Sequence, residues 1–155
     1  MKRLFIVMAT LLALRLCATA QSGLEISRIF GGKYSSDPTV TETIMSGDQN
    51  FLRSHKLSTF ATFKGNAEKY EPIIQPLVSA DGAHATARNV RYRDGKLHYA
   101  FFVLPQITSE GKKLNRYLYY LNNDRAKKPT VMVIYFDGPI SNAKAEALIK
   151  SIIKK

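Results

Sequence analysis

The chain has 155 residues, 45% of them hydrophobic, and its 23 basic against 12 acidic residues give a formal net charge of +11. That length suits one packed domain that can bury a core without disulfides or metals, unlike a scaffold of about 40 residues, and a single cysteine excludes an intramolecular disulfide. The positive excess favours anionic partners and says nothing about fold.

The first twenty residues read as an export signal. Lys2 and Arg3 precede an apolar run from Leu4 to Leu16, and Ala18-Thr19-Ala20 supplies the small-x-small pattern cut before Gln21. The run is short for a bilayer and Arg15 interrupts it. The expectation is cleavage between Ala20 and Gln21, leaving one domain over residues 21–155 in the periplasm or outside the cell, with no transmembrane segment. Cys17 would leave with the signal, so the mature chain has neither thiol nor disulfide chemistry and rests on packing. Leu14-Arg15-Leu16 lacks the small residue that a lipidated Cys17 would need beside it.

Along the mature chain, Ser22 to Phe30 reads as a short amphipathic helix stopped by Gly31-Gly32. Val40 to Met45 and Leu57 to Lys64 read as strands, the second ended by Gly65. Asn66 to Ala80 has Ala67, Tyr70, Ile74 and Leu77 spaced for one helical face, with Pro72 and Pro76 demanding a late start or a kink and Asp81-Gly82 as the stop. Thr86 to Leu104 reads as a hairpin about a type I′ turn at Asp94-Gly95. That turn sets Arg93 opposite Lys96, Tyr92 opposite Leu97, Arg91 opposite His98 and Val90 opposite Tyr99.

Pro105 to Lys112 reads as a loop tightest at Glu110-Gly111. Leu114 to Leu121 is a strand apolar on both sides, and Val131 to Phe136 a central strand broken by Asp137-Gly138-Pro139. Ser141 caps a final helix with Ala145, Leu148, Ile149 and Ile152 facing inward. The fold class is α+β: a largely antiparallel sheet of about six strands, with two or three helices packed on one face.

The hairpin's polar side is the candidate site. Like charges directly opposite across strands disfavour a sheet, by about 0.2–1 kcal/mol. Here Arg91, Arg93, Lys96 and His98 share one side, with Lys112, Lys113 and Arg116 able to join if the next strand pairs there. An anion would relieve the repulsion, and arginine forks suit phosphate, sulfate or carboxylate. Tyr92, Tyr99, Tyr117, Tyr119 and Tyr120 sit mostly at apolar parity and read as core.

His55, His84 and His98 are too scattered for a zinc site, Asp81 with His84 lies in a glycine turn, and no serine elbow is present. No metal, cofactor or catalytic residue is assigned. A small hydrolase or nuclease remains the rival, pairing His98 with Glu68, Glu71 or Glu110, or using His55 with a carboxylate. An envelope-assembly subunit with an exposed apolar patch is a further alternative.

Four segments, Arg53-Ser-His-Lys-Leu57, Phe60-Ala-Thr-Phe-Lys-Gly65, Asn89-Val-Arg-Tyr-Arg-Asp-Gly-Lys-Leu97 and Arg116-Tyr-Leu-Tyr-Tyr120, carry a family likeness. With the signal ending at Ala20-Gln21, the chain resembles small exported proteins of unknown function from Bacteroidota. The resemblance implies an envelope location and brings no catalytic residues. The expectation is a non-enzymatic binding or interaction domain whose basic sheet face meets envelope polyanions, such as lipopolysaccharide or an acidic glycan, or another envelope protein.

Overall fold

A computed structural model describes residues 23–154, and the expected signal lies outside them. A 3-10 helix at Glu25–Ile29 precedes β1 (Thr41–Ser46), α1 (Asn50–His55), β2 (Thr59–Asn66) and α2 (Ala67–Gly82). Then follow β3 (Ala87–Arg93), β4 (Lys96–Ser109), β5 (Lys112–Asn123), β6 (Thr130–Gly138) and α3 (Asn142–Ile153). The strands form one antiparallel sheet in the order β1-β2-β6-β5-β4-β3. The fold is α+β with six antiparallel strands, and β6 lies inside the sheet, where an unbroken apolar run belongs.

The helices do not share a face, which corrects the expected two-layer arrangement. Alternate strand residues point to opposite sides. Phe63, Phe102, Leu118, Tyr120 and Tyr135 pack with Tyr70, Ile74 and Val78 of α2 and with Ile26 and Ile29. Phe60, Phe101, Tyr117, Tyr119 and Phe136 point the other way, against Leu52 of α1 and Ala145, Leu148 and Ile149 of α3. The physical reason lies in β5: Tyr117, Leu118, Tyr119 and Tyr120 are all buried. A sheet apolar on both sides needs a layer on each.

Asn66 caps α2, its Oδ1 accepting from the Lys69 N–H at 3.1 Å. The helix then runs through Pro72 and Pro76 as far as Gly82. Both prolines are exposed, so the carbonyls they leave unbonded face water, while Tyr70, Ile74 and Val78 hold the opposite side in the core. At the other end of the chain, Ser141 caps α3 as expected, accepting from the Lys144 N–H. The six-residue α1 escaped the sequence reading because it is too short to show a helical period; Lys56, at φ +56°, ends it.

Asp94 and Gly95, at φ +51° and +75°, make the expected turn, and Arg93 opposes Lys96 as Tyr92 opposes Leu97. The register then slips: Arg91 pairs with Tyr99 and Val90 with Ala100. His98 is the extra residue of a β-bulge, so the expected Arg91–His98 pair does not form. The bulge inverts the alternation, turning Leu97, Ala100 and Phe102 toward α2 and Phe101 toward α3. The expected loop after Pro105 is instead strand, with an irregularity between Leu104 and Ile107 that accommodates the proline. Only Glu110 and Gly111 turn there, both at positive φ.

Asp137, fully buried on β6, lies opposite Arg116 on one side and Thr59 on the other, and accepts from the Tyr135 hydroxyl at 2.8 Å. Burial pushes its carboxyl up to about 6, against the pull of Tyr135, Thr59 and Arg116. Between about pH 4 and 6 the native state therefore keeps a proton the unfolded chain has lost, and stability falls by about 2–3 kcal/mol as pH rises. Burial raises Asp81 in the same sense. Asp37 acts oppositely: bonds from Lys69, Tyr70 and Thr39 hold it well below the carboxylate range, so its contribution is lost as pH drops below about 4. Urea midpoints between about pH 3 and 7 are expected to peak near pH 4–5. Asp137→Asn is expected to remove most of the decline above that peak, the remainder belonging to Asp81.

Candidate functional site

The structure disperses the four hairpin residues. Arg91 lies over the Tyr99 ring at 5.6 Å, a cation–π contact. The Arg93 guanidinium reaches His98 Nε2 at 2.8 Å and Asp124 at 3.5 Å. Lys96 lies 3.9 Å from Glu71 on α2. A guanidinium only donates, so His98 Nε2 is an acceptor and its Nδ1–H donates to the Asn122 carbonyl at 2.7 Å. Arg93 and His98 are thus brought together, while Arg91 and Lys96 have partners of their own. Lys112 and Lys113 sit at the far end of β4, opposite Ser109 and Thr108, and Arg116 is buried with its Nε–H donating to the Pro105 carbonyl. They do not extend the cluster.

The β5–β6 connection takes up much of the hairpin's charge. Asp124 meets Arg93, and Arg125 meets Asp94 at 2.7 Å, so two opposite-sign pairs clasp loop to turn. At such exposure each contributes about 0–1 kcal/mol. Their main effect is to orient the loop, whose next residues, Lys127 and Lys128, line a groove with β2.

Catalytic geometry is not assembled around the histidines. His55 Nδ1 lies 3.0 Å from Ser54 Oγ and 2.9 Å from the Phe51 carbonyl. A proton donated to that carbonyl leaves Nδ1 no lone pair with which to activate the serine. Among the described residues, neither His55 nor His98 has a carboxylate within hydrogen-bond distance. The Asp81 carboxylate is committed to the backbone N–H groups of Glu25 and Ile26, both at 2.8 Å, and His84 is exposed. No three His, Cys, Asp or Glu side chains among the described residues gather closely enough to hold a metal ion. None of the described helices is long and apolar enough to cross a membrane. The exposed large apolar residues, Ile73, Tyr92 and Ile153, lie on three different elements.

The groove holds about 510 Å³ and is built at one end of the β1-β2-β6 part of the sheet. Pairing places Thr41 opposite Lys64 and Asn66 opposite Thr130, and the Ala67 N–H donates to the Pro129 carbonyl at 3.1 Å. Lys64 rises from β2, while Lys127 and Lys128 come from the loop; Thr39, Thr41 and Thr130 add hydroxyls. No carboxylate lines the groove, and none of the three lysines has one within ion-pairing distance among the described residues. Asp37, the nearest acid in sequence to Thr39, accepts from Lys69, the Tyr70 hydroxyl and the Thr39 N–H and hydroxyl, so among the described residues the free hydroxyls of the groove are those of Thr41 and Thr130. Three uncompensated ammonium groups facing one concavity suit an anion, which lysine recognises as a point charge. Lys64 and Lys127 are so far apart in sequence that only the pairing of β2 with β6 reveals them as neighbours.

No curated protein and no solved structure matches the chain. A family model, described as a family of unknown function, matches residues 13–149. The chain belongs to this family, DUF6108.

Proposed function

We propose that this chain is an exported, non-enzymatic binding domain of the bacterial envelope that holds anionic groups in the Lys64–Lys127–Lys128 groove. The observation that carries the reading is the contrast between two basic regions. The hairpin's Arg91, Arg93 and Lys96 are each engaged by an aromatic ring or a carboxylate, whereas the groove lysines are uncompensated around about 510 Å³. Export is supported by the charged start, apolar run and Ala18-Thr19-Ala20 of the leader, and by the resemblance to exported Bacteroidota proteins. Among the described residues the ring nitrogens of His55 and His98 bond to a serine hydroxyl, backbone carbonyls and Arg93, not to a carboxylate, which supports a binding reading over hydrolysis. The ligand class is a polyanion bearing phosphate, sulfate or carboxylate groups, as in lipopolysaccharide or an acidic glycan.

A salt titration of binding to lipopolysaccharide, a sulfated glycan and DNA tests this. The native protein is expected to bind with a log–log salt slope of about −2 to −3, consistent with three lysines displacing counterions. Changing Lys64, Lys127 and Lys128 together to serine should flatten that slope and weaken binding more than tenfold. The same treatment of Arg91, Arg93 and Lys96 should have the smaller effect. Equal loss in both variants would mean that net charge alone drives binding.

A further inference from the structure

We propose that the pocket beneath the first turns of α2 is a binding site for an organic ammonium group. This goes beyond the anion groove and has its own residues. The pocket holds about 390 Å³, and its lining includes Glu68 and Glu71 of α2, Asn122 and Asp124 of β5 and its loop, and Lys96 and Pro129. Three carboxylates line it against one lysine, and with Asp124 also meeting Arg93 at 3.5 Å it remains the more acidic neighbour of the groove.

Acidity alone would mean only a solvated surface, and the buried groups are what point to a ligand. Asn122 is 4% exposed, and its Oδ1 is buried without a hydrogen-bond partner. It stands two residues beyond Tyr120 and four beyond Leu118, both in the core against α2, so its side chain points to the same side, into the pocket. The Tyr120 hydroxyl, fully buried, also lacks a partner. Burial and the charges of Glu71 and Asp124 push this phenol above its ordinary range, which places both carboxylates within electrostatic reach of it. A buried acceptor left unpaired has lost its water without a replacement, so a donor brought here is favoured.

The chemistry selects the donor. A metal ion needs several convergent ligands, and no three acidic or imidazole groups converge among the described residues. An ammonium needs less convergence: it carries three N–H donors and one charge, which Glu71 and Asn122 Oδ1 can meet with the remaining donor left to water. Lys96 shows that the site accepts this chemistry: it forms an ion pair with Glu71 at 3.9 Å, a contact too long for a hydrogen bond, so the Glu71 oxygens still have acceptor capacity for a second N–H donor.

Pro129 lines both this pocket and the groove. Asn66 of the groove and Ala67 of the pocket are also adjacent in the chain, so the two sites adjoin.

NMR titrations with ethanolamine, ethylene glycol, inorganic phosphate and O-phosphoethanolamine test the proposal. Ethanolamine is expected to produce saturable shifts at the Asn122 side-chain amide and the Glu71 backbone, with a millimolar dissociation constant. Ethylene glycol, without the charge, should leave these signals in place. Glu71→Gln, which keeps helix propensity and shape, should weaken ethanolamine binding about tenfold. Asn122→Ala, which retains the backbone carbonyl used by His98, should do the same. No saturable shift, equal shifts with ethylene glycol, or an unchanged Glu71→Gln variant would overturn the ammonium site. Phosphate should shift Gly65 and Thr130 alone, and O-phosphoethanolamine both sets. Loss of the phosphate response with the amine response intact would overturn the groove reading and leave this site standing.

Discussion

Asp81→Ala is expected to destabilise the fold by about 3–4 kcal/mol. The carboxylate, 4% exposed in the last turn of α2, accepts from the backbone N–H groups of Glu25 and Ile26 through separate oxygens, both at 2.8 Å. It thereby supplies the start of the 3-10 helix with the anion that a helix start favours. Alanine would strand two donors beside the fully buried Ile26, at about 1–3 kcal/mol each. Part of that loss is offset because burial already disfavours the charged form of Asp81. Asp81→Asn retains an acceptor and should lose about half as much. Urea unfolding measures the difference; a loss under about 1 kcal/mol for alanine would mean the N-terminal turn is not held by this residue.

Gly82→Ala is expected to cost about 2–3 kcal/mol, although alanine is the better helix former by about 1 kcal/mol. A Cβ there would lie 2.3, 2.6 and 2.7 Å from three carbons of the Phe102 ring. That ring is 5% exposed and packed within the α2-side core, so it cannot swing away without displacing neighbours. Combining Gly82→Ala with Phe102→Leu should therefore recover stability, with a favourable coupling of at least about 1 kcal/mol in a double-mutant cycle. Additive losses would show that the helix end shifts instead of clashing.

These two residues also show where sequence reading loses its hold. Asp-Gly is a strong turn signal, and at Asp94-Gly95 it marks a real type I′ turn with positive φ at both positions. The same dipeptide at Asp81-Gly82 completes a helix, and at Asp137-Gly138 it continues a strand. In those places glycine answers to crowding: a Cβ at Gly82 would meet Phe102, and one at Gly138 would lie 2.5 Å from the Lys56 carbonyl. Nothing local distinguishes the cases, because the neighbour comes from a distant part of the chain.

Most of the strands, the last helix and its Ser141 cap were legible because each carries its own period or cap, whereas the end of β4 was hidden behind Pro105. The second helical layer was foreshadowed in β5, whose residues are apolar at both parities. The hairpin register was legible only as far as Leu97. The bulge at His98 depends on bonds to Arg93 and Asn122, the second of which belongs to another strand. The groove as a whole is not local: Lys127 and Lys128 stand together in one loop, but Lys64 joins them only because β2, besides pairing with β1, also pairs with the distant β6.

The most direct test is amide-shift mapping of the labelled protein with a short sulfated oligosaccharide at low and high salt. Shifts confined to Lys64, Gly65, Asn66, Lys127, Lys128 and Thr130, and suppressed by salt, are the expected result. Shifts centred on Arg91, Arg93 and Lys96 with the groove signals unmoved would contradict it and return the anion site to the hairpin.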